Sequence, residues 1–155
     1  MSYLDVIPLA DAKIYLRIDD TLTEDDAQIT RMINASLSYI ERYTNVYVFD
    51  RDKTFVVVDN CIRIYAAPIN TLVDPTDAES DIKTLYTTYT TGTDEDILTL
   101  NVGYDDPANV PDELKEIALE MIDLMYYEHE TGKSFIKDLT SLSREMLNSY
   151  KRFLT

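Results

Sequence analysis

Apolar side chains recur at helical spacing in several stretches of this chain and alternate in the stretch between them. Leu9, Ala12 and Leu16 share one face of a short helix predicted over residues 9–18, which Asp19-Asp20 ends. Ile29, Met32, Ile33, Ser36, Leu37, Ile40 and Tyr43 follow the i, i+3, i+4, i+7 pattern of a second helix over residues 23–44. Thr23 is its expected N-cap, and Glu24, Asp25 and Asp26 suit the positive end of the helix. Thr30, Arg31, Asn34, Ser38, Glu41 and Arg42 form the side expected in water. Burying each large apolar side chain of the stripe is worth ~1.5–3 kcal/mol. The stripe therefore faces a core or another chain.

From Val46 the period shortens to two. Val46-Tyr47-Val48-Phe49 and Thr54-Phe55-Val56-Val57-Val58 are rich in β-branched and aromatic residues and read as strands. Cys61 to Tyr65 alternates, with Ile62 and Ile64 on one side and Cys61 read as buried; Pro68 breaks the run. Asp74 to Asp81 holds Pro75 and four acids (Asp74, Asp77, Glu79, Asp81) and reads as an exposed loop. Ile82 to Tyr89 is a weaker strand. Ile97 to Tyr104 is a clear one, with Leu98, Leu100, Val102 and Tyr104 pointing one way. The middle of the chain, about residues 46–104, is thus expected to form a small antiparallel sheet.

Helical spacing then returns. Pro111 suits the first turn of a helix over residues 111–131, with Gly132 as its stop. Leu114, Ile117, Ala118, Met121, Leu124 and Met125 form its apolar face, widened by Leu119, Ile122 and Tyr126. So broad a face puts this helix at the centre of the fold. The remaining stripe is acidic: Glu113, Glu116, Glu120, Asp123, then Tyr127 and Glu130. A last helix, residues 141–153, puts Leu142, Met146, Tyr150 and Phe153 on one side. The fold class expected is α+β, a bundle of about four helices with an inserted antiparallel β region. At 155 residues the whole reads as one domain.

Charge changes this picture more than composition does. The net charge is −15, which opposes tight binding to nucleic-acid phosphates. It is uneven: residues 1–132 carry 9 basic and 27 acidic side chains, whereas residues 133–155 carry 5 basic and 2 acidic ones. Lys137, Arg144, Lys151 and Arg152 belong to that basic tail. A basic tail on an acidic body suggests docking on an acidic surface. Ordinary helix-end preferences account for the same pattern. No apolar run approaches the ~20 residues that span a bilayer, and no signal peptide is visible, so no membrane role is expected. Synthesis in a reducing cytoplasm fits the single Cys61.

The residues offer little to an enzyme. With one histidine, His129, and one cysteine, the chain cannot build a His/Cys metal site, and no cofactor is expected. Gly132-Lys133-Ser134 imitates the end of a phosphate loop but follows a helix and has Tyr127 where the first glycine belongs. Asp94-Glu95-Asp96 lacks the glycine and closing glutamate of a calcium loop. The acids of residues 74–81 suit a solvated loop better than a cation site. Twelve tyrosines and no tryptophan suit contact surfaces, and core packing equally.

The order of elements is the more specific signal. A helix is followed by Leu16-Arg17-Ile18-Asp19, an acidic loop, and a helix ending Tyr39-Ile40-Glu41-Arg42-Tyr43-Thr44. Later come a strand ending Gly103-Tyr104, an acidic loop, Val110-Pro111-Asp112-Glu113-Leu114-Lys115, and a helix ending Tyr126-Tyr127-Glu128-His129-Glu130. This ordered set resembles the gp6-like head–tail connector (adaptor) proteins of tailed bacteriophages. The resemblance implies a structural virion protein of the head–tail junction, without catalytic residues. It implies a homo-oligomeric ring below the portal protein, extending the DNA channel and supporting the next neck or tail-completion protein. DNA would pass through without specific binding. Two contact surfaces are then expected. One is the tail, with Lys137, Leu142, Arg144, Met146, Tyr150, Lys151, Arg152 and Phe153 toward the portal or a neighbour; alternatively this helix completes the molecule's own core. The other is the stripe Glu113, Glu116, Glu120 and Asp123, lining the channel or facing the next subunit. Competing readings are a tail-completion or neck protein at another position, an acidic DNA mimic that blocks a basic partner, and a carboxylate-based, divalent-dependent enzyme.

Overall fold

The computed structural model describes residues 1–83, 86–92, 97–127 and 139–152. Its helices are α1 (Tyr3–Val6), α2 (Leu9–Leu16), α3 (Asp26–Thr44), α4 (Asp112–Tyr127) and α5 (Ser141–Ser149). Its strands are β1 (Arg51–Val56), β2 (Cys61–Ile64), β3 (Ile69–Asp74), β4 (Glu79–Ile82), β5 (Thr87–Thr90) and β6 (Ile97–Val102). The fold is α+β, with the β region inserted between α3 and α4.

The predicted apolar stripes meet. Ile29, Ile33, Leu37 and Ile40 of α3 bury fully against Leu114, Ile117, Ala118, Met121 and Ile122 of α4. Ala12 and Leu16 of α2 join them. The ends of these helices differ from expectation. Arg17, in the left-handed region at φ 58°, ends α2 before Asp19-Asp20 is reached. Thr23 does not cap α3, which begins at Asp26 after Asp25, and the Thr23 carbonyl instead accepts from the Asp26 N–H. The reason lies in Lys13. Its ammonium is buried and must find acceptors; it donates to the carbonyls of Asp20 and Leu22 and to Asp26 Oδ1 at 3.0 Å. That clamp sets the path of residues 17–25.

Glu41, expected in water, is only 6% exposed. The chain leaving α3 doubles back and brings three donors to its carboxylate: the Val48 N–H at 2.9 Å, the Tyr3 hydroxyl at 2.7 Å and the Arg51 guanidinium. Arg51 also lies over the Phe49 ring, 4.2 Å from its centroid. The cluster ties α1, α3 and β1 together.

Val46 to Phe49 forms no strand; Val46 makes only an isolated bridge to Ala67. Its period-two pattern has another purpose. Val46 and Val48 bury in the helical core and Tyr47 in the β core, so the segment is the seam between them. The β residues form two antiparallel three-stranded sheets, ordered β1-β6-β3 and β2-β5-β4, where one sheet was expected. Leu98, Leu100 and Val102 of β6 are fully buried as the alternation predicts, while Tyr104 packs on the helical core. The acidic stretch 74–81 is not all loop, since Glu79 begins β4. The run Ile82 to Tyr89 is not one strand: Ile82 ends β4, and Thr87 to Tyr89 belong to its antiparallel partner β5. Asp59 and Asn60, at φ 53° and 57°, form the two-residue turn between Val58 and Cys61. Cys61 is exposed on edge strand β2 rather than buried.

The last helix stops at Ser149, and its buried residue is Leu147, 1% exposed, rather than Leu142, 61% exposed. Met146 and Tyr150 pack at the edge of the helical core. Phe153, the expected end of that face, lies outside the described residues, as do His129, Lys137, the sequences 94–96 and 132–134, and the predicted end of the α4 helix.

Candidate assembly interface

The tail residues singled out by charge pattern do not form one free surface. Helix α5 lies on its own body. Thr140 caps it by accepting from the Ser143 N–H, and the Thr140 N–H in turn donates to Glu120 Oε1 at 2.7 Å. The Ser143 hydroxyl donates to the other oxygen of Glu120. Tyr43 donates to Asn148 Oδ1 at 2.7 Å, and the Arg152 N–H donates to the Thr44 carbonyl at 3.0 Å. Lys151 sits 5.0 Å from the centroid of the Tyr43 ring. Met146 and Tyr150 thus face inward. Leu142 and Arg144 are exposed, and an Arg144 N–H reaches the Leu139 carbonyl.

The acidic stripe is divided in the same way. Glu120 is engaged by α5, and Glu113 accepts from the Tyr150 hydroxyl at 3.3 Å. Glu116 is exposed and Asp123 half-buried. Glu116 also lines a shallow groove of ~280 Å³ with Val6, Ile7, Asp11, Asp112, Lys115 and Leu119. Burial first, then the charges of Glu116, Asp123 and Glu120, raise the Tyr15 hydroxyl above its usual titration range. Helix α2 and helix α4 are joined there by the Tyr127 hydroxyl, which donates to the Leu16 carbonyl at 2.8 Å.

Sequence reasoning missed the exposed apolar groups on other elements. Val56, at 71% exposure, together with Val58 and Ile97, forms one group in the β region. On the helices Ile14 is 67% exposed, and Tyr15 and Tyr127 are exposed where α2 meets α4. The signal for the second was present. Residues 14 and 15 fall off the Leu9, Ala12, Leu16 face at helical spacing. For the first it was absent, since a run of three valines does not say which of them points inward.

Among the described residues, no group of three or more His, Cys, Asp or Glu is placed to hold a metal ion, and no helix is long and apolar enough to cross a membrane. The arrangement offers apolar and charged surface for contact.

Solved structures share this architecture. A chain in the neck of an empty GTA particle, computed with C6 symmetry, superposes with a TM-score of 0.76 at 10% identity, covering 97% of this chain and 91% of that one. A chain in the virion of a native gene transfer agent (GTA) particle gives 0.73 at 13% identity with the same coverage. A chain in the neck of a native GTA particle, computed with C12 symmetry, gives 0.70 at 10% identity, again covering 97% and 91%. At such identities the likeness is one of fold. No curated protein matches the chain closely. The profile of the family described as phage gp6-like head-tail connector protein matches residues 6–154, and with that span matched the chain belongs to this family of virion structural proteins.

Proposed function

We propose that copies of this protein form a ring at the head–tail junction, below the portal, which continues the DNA channel and carries the next neck or tail component. The observation that carries this reading is the family match over residues 6–154, together with a fold shared over 97% of the chain with a neck component solved under sixfold symmetry. The work is binding and stacking; no step of it needs catalysis. A net charge of −15 per chain suits a channel that DNA must pass without sticking. Among the described tail candidates, Leu142 and Arg144 are exposed, and these are offered to the portal or a neighbour. Lys151, Arg152, Met146 and Tyr150 hold α5 on its own body.

The same charge opposes closure of identical acidic subunits, so apolar contact must offset the repulsion. Salt screens such charges, with a Debye length of ~8 Å at physiological strength. Rings are therefore expected to grow with salt, with concentration or on the portal itself, which sedimentation at low and high salt reads directly. Rings that dissolve as salt rises would refute the repulsion argument. Electron microscopy of the purified protein, alone and with a portal, tests the function: rings are expected in at least the second case. Solitary particles in both would end the proposal.

A further inference from the structure

The apolar stripes of α3 and α4 meet, so the wet sides of these two helices point in opposite directions. With helices ~10 Å across, the two outer surfaces stand ~20 Å apart. They differ in charge. Between Ala27 and Arg42 the outward side of α3 shows Arg31 and Arg42 among the short side chains of Ala27, Asn34 and Ala35. The one acid of that stretch, Glu41, is buried against Tyr3 and Arg51. Asp19, Asp20 and Glu24 precede the helix. On its flanks Asp5 of α1 is held by Ser2, and Lys151 lies over the Tyr43 ring.

The outward side of α4 shows Asp112, Glu116 and Tyr127 exposed and Asp123 half-buried, with Asp11 and Tyr15 of α2 alongside. Its cations are Lys115, 3.5 Å from Asp112, and Arg17, just past α2. Glu113 and Glu120, toward α5, accept from Tyr150 and Ser143. The helical layer is thus basic on one side and acidic on the other. The spacing matches as well. Arg31 and Arg42 are 11 residues apart, and so are Asp112 and Asp123. Eleven residues make about three helical turns, so each pair lies along one line ~16.5 Å long. The two helices run antiparallel, since Tyr126 at the end of α4 donates to Asp25 at the start of α3, at 2.6 Å.

A closed ring of more than two copies needs two unlike surfaces, one presented and one received; a twofold dimer uses a single surface twice. We infer that the outward side of α3 in one copy packs on the outward side of α4 in the next. Antiparallel docking, the relation the two helices have within a copy, sets Arg42 against Asp112 and Glu116 and Arg31 against Asp123. The short side chains of α3 admit a close approach, and Tyr15 and Tyr127 supply area to bury. This contact rests on the ring reading and specifies which surfaces close the ring. Two α3 faces bring like charges together, and so do two α4 faces. Pairs covered by the contact are screened much less than exposed charges, so salt that relieves the repulsion between whole subunits leaves them in place.

The exposed Cys61 can be removed and thiols placed on the two faces of the full chain. In Cys61→Ser protein with Ala35→Cys and Glu116→Cys, a short bis-maleimide should give trimers and higher species, up to the ring size seen in micrographs. Within one copy the two thiols lie on opposite sides of the helical layer and are too far apart to bridge. Either cysteine alone cannot pass dimer. With Thr54→Cys, exposed on β1, in place of Ala35→Cys, the products should stay at dimer. Arg42→Glu in the parent chain should raise the concentration for half-assembly by about tenfold, and adding Glu116→Arg should bring most of it back. Rings whose Ala35→Cys ladder is no longer than that of Thr54→Cys would overturn this contact and leave the ring reading standing. Efficient dimers from rings that carry Ala35→Cys alone would mean that like faces meet, and would overturn the head-to-tail direction. Absence of rings in every preparation, portal included, overturns the ring reading and this contact with it.

Discussion

Replacing Glu41 tests how the helical and β parts are joined. Its carboxylate takes three donors, and the Val48 N–H among them is buried backbone without another acceptor within the seam. In Glu41→Leu that N–H loses its partner, at ~1–3 kcal/mol. Arg51 loses its counter-charge while its side chain stays only 31% exposed. Removing one member of a buried pair costs ~3–5 kcal/mol when both ions are dry; partial exposure of Arg51 lets water recover some of this. The expected total is ~3–4 kcal/mol, a large share of the ~5–15 kcal/mol that holds a domain folded. Glu41→Gln keeps an acceptor for Val48 and loses only charge, so ~1–2 kcal/mol is expected. The double change Glu41→Leu with Arg51→Met removes both charges and should recover at least half of the single loss. Urea unfolding followed by far-UV circular dichroism reads all three. At a slope of ~2 kcal/mol per molar, Glu41→Leu should lower the midpoint by ~1.5–2 M. A drop under ~0.5 M, or a double change no better than Glu41→Leu, would refute the view that a charge network pins the seam.

Three further outcomes follow from the packing and the tyrosines. Leu147→Ala should destabilise the whole protein by ~2–5 kcal/mol in the same urea assay; a loss confined to assembly, with the midpoint unchanged, would mean that α5 is not part of the core. Gly103, at φ +110°, has no room for a Cβ against the Phe49 carbonyl, so Gly103→Ala should cost more than the ~1–2 kcal/mol of a left-handed residue alone, seen as a lowered melting temperature. Tyr126 is pushed up to about 12 by its hydrogen bond to Asp25, with burial adding, and Tyr3, Tyr15, Tyr39, Tyr89, Tyr104 and Tyr150 are raised chiefly by burial. Raised folded values mean stability that is complete below pH ~10 and lost as pH climbs through the folded values. A phenolate absorbance titration should therefore lie to higher pH in folded protein than in urea; coincident curves would refute it.

The structure bears out most of the helical expectations because a buried stripe leaves a strong period. The faces of α2, α3 and α4 needed only spacing. Glu41 shows where spacing stops. It sits beside the stripe, and only the return of the chain through Val48 and Arg51 decides that it is buried. Lys13 is similar: a lysine on a short helix looks solvated until the fold surrounds it with the carbonyls of Asp20 and Leu22. Val46-Tyr47-Val48-Phe49 was read as a strand from its β-branched and aromatic residues, yet those residues fill two cores and find no sheet partner beyond the Val46–Ala67 bridge. The exposed apolar group of the β region was invisible for a related reason, since Val56, Val57 and Val58 are chemically equal and the register of β1 on β6 alone selects which one is buried.

By itself the sequence determined the α+β class, the helical core and the family, because these follow from local periodicity and from the order of local motifs. The tertiary structure alone decided the division into two sheets, the docking of α5 on its own body and which valines of the β region turn outward. Those depend on contacts between residues far apart in the chain, and no local pattern encodes which distant partner a side chain will meet.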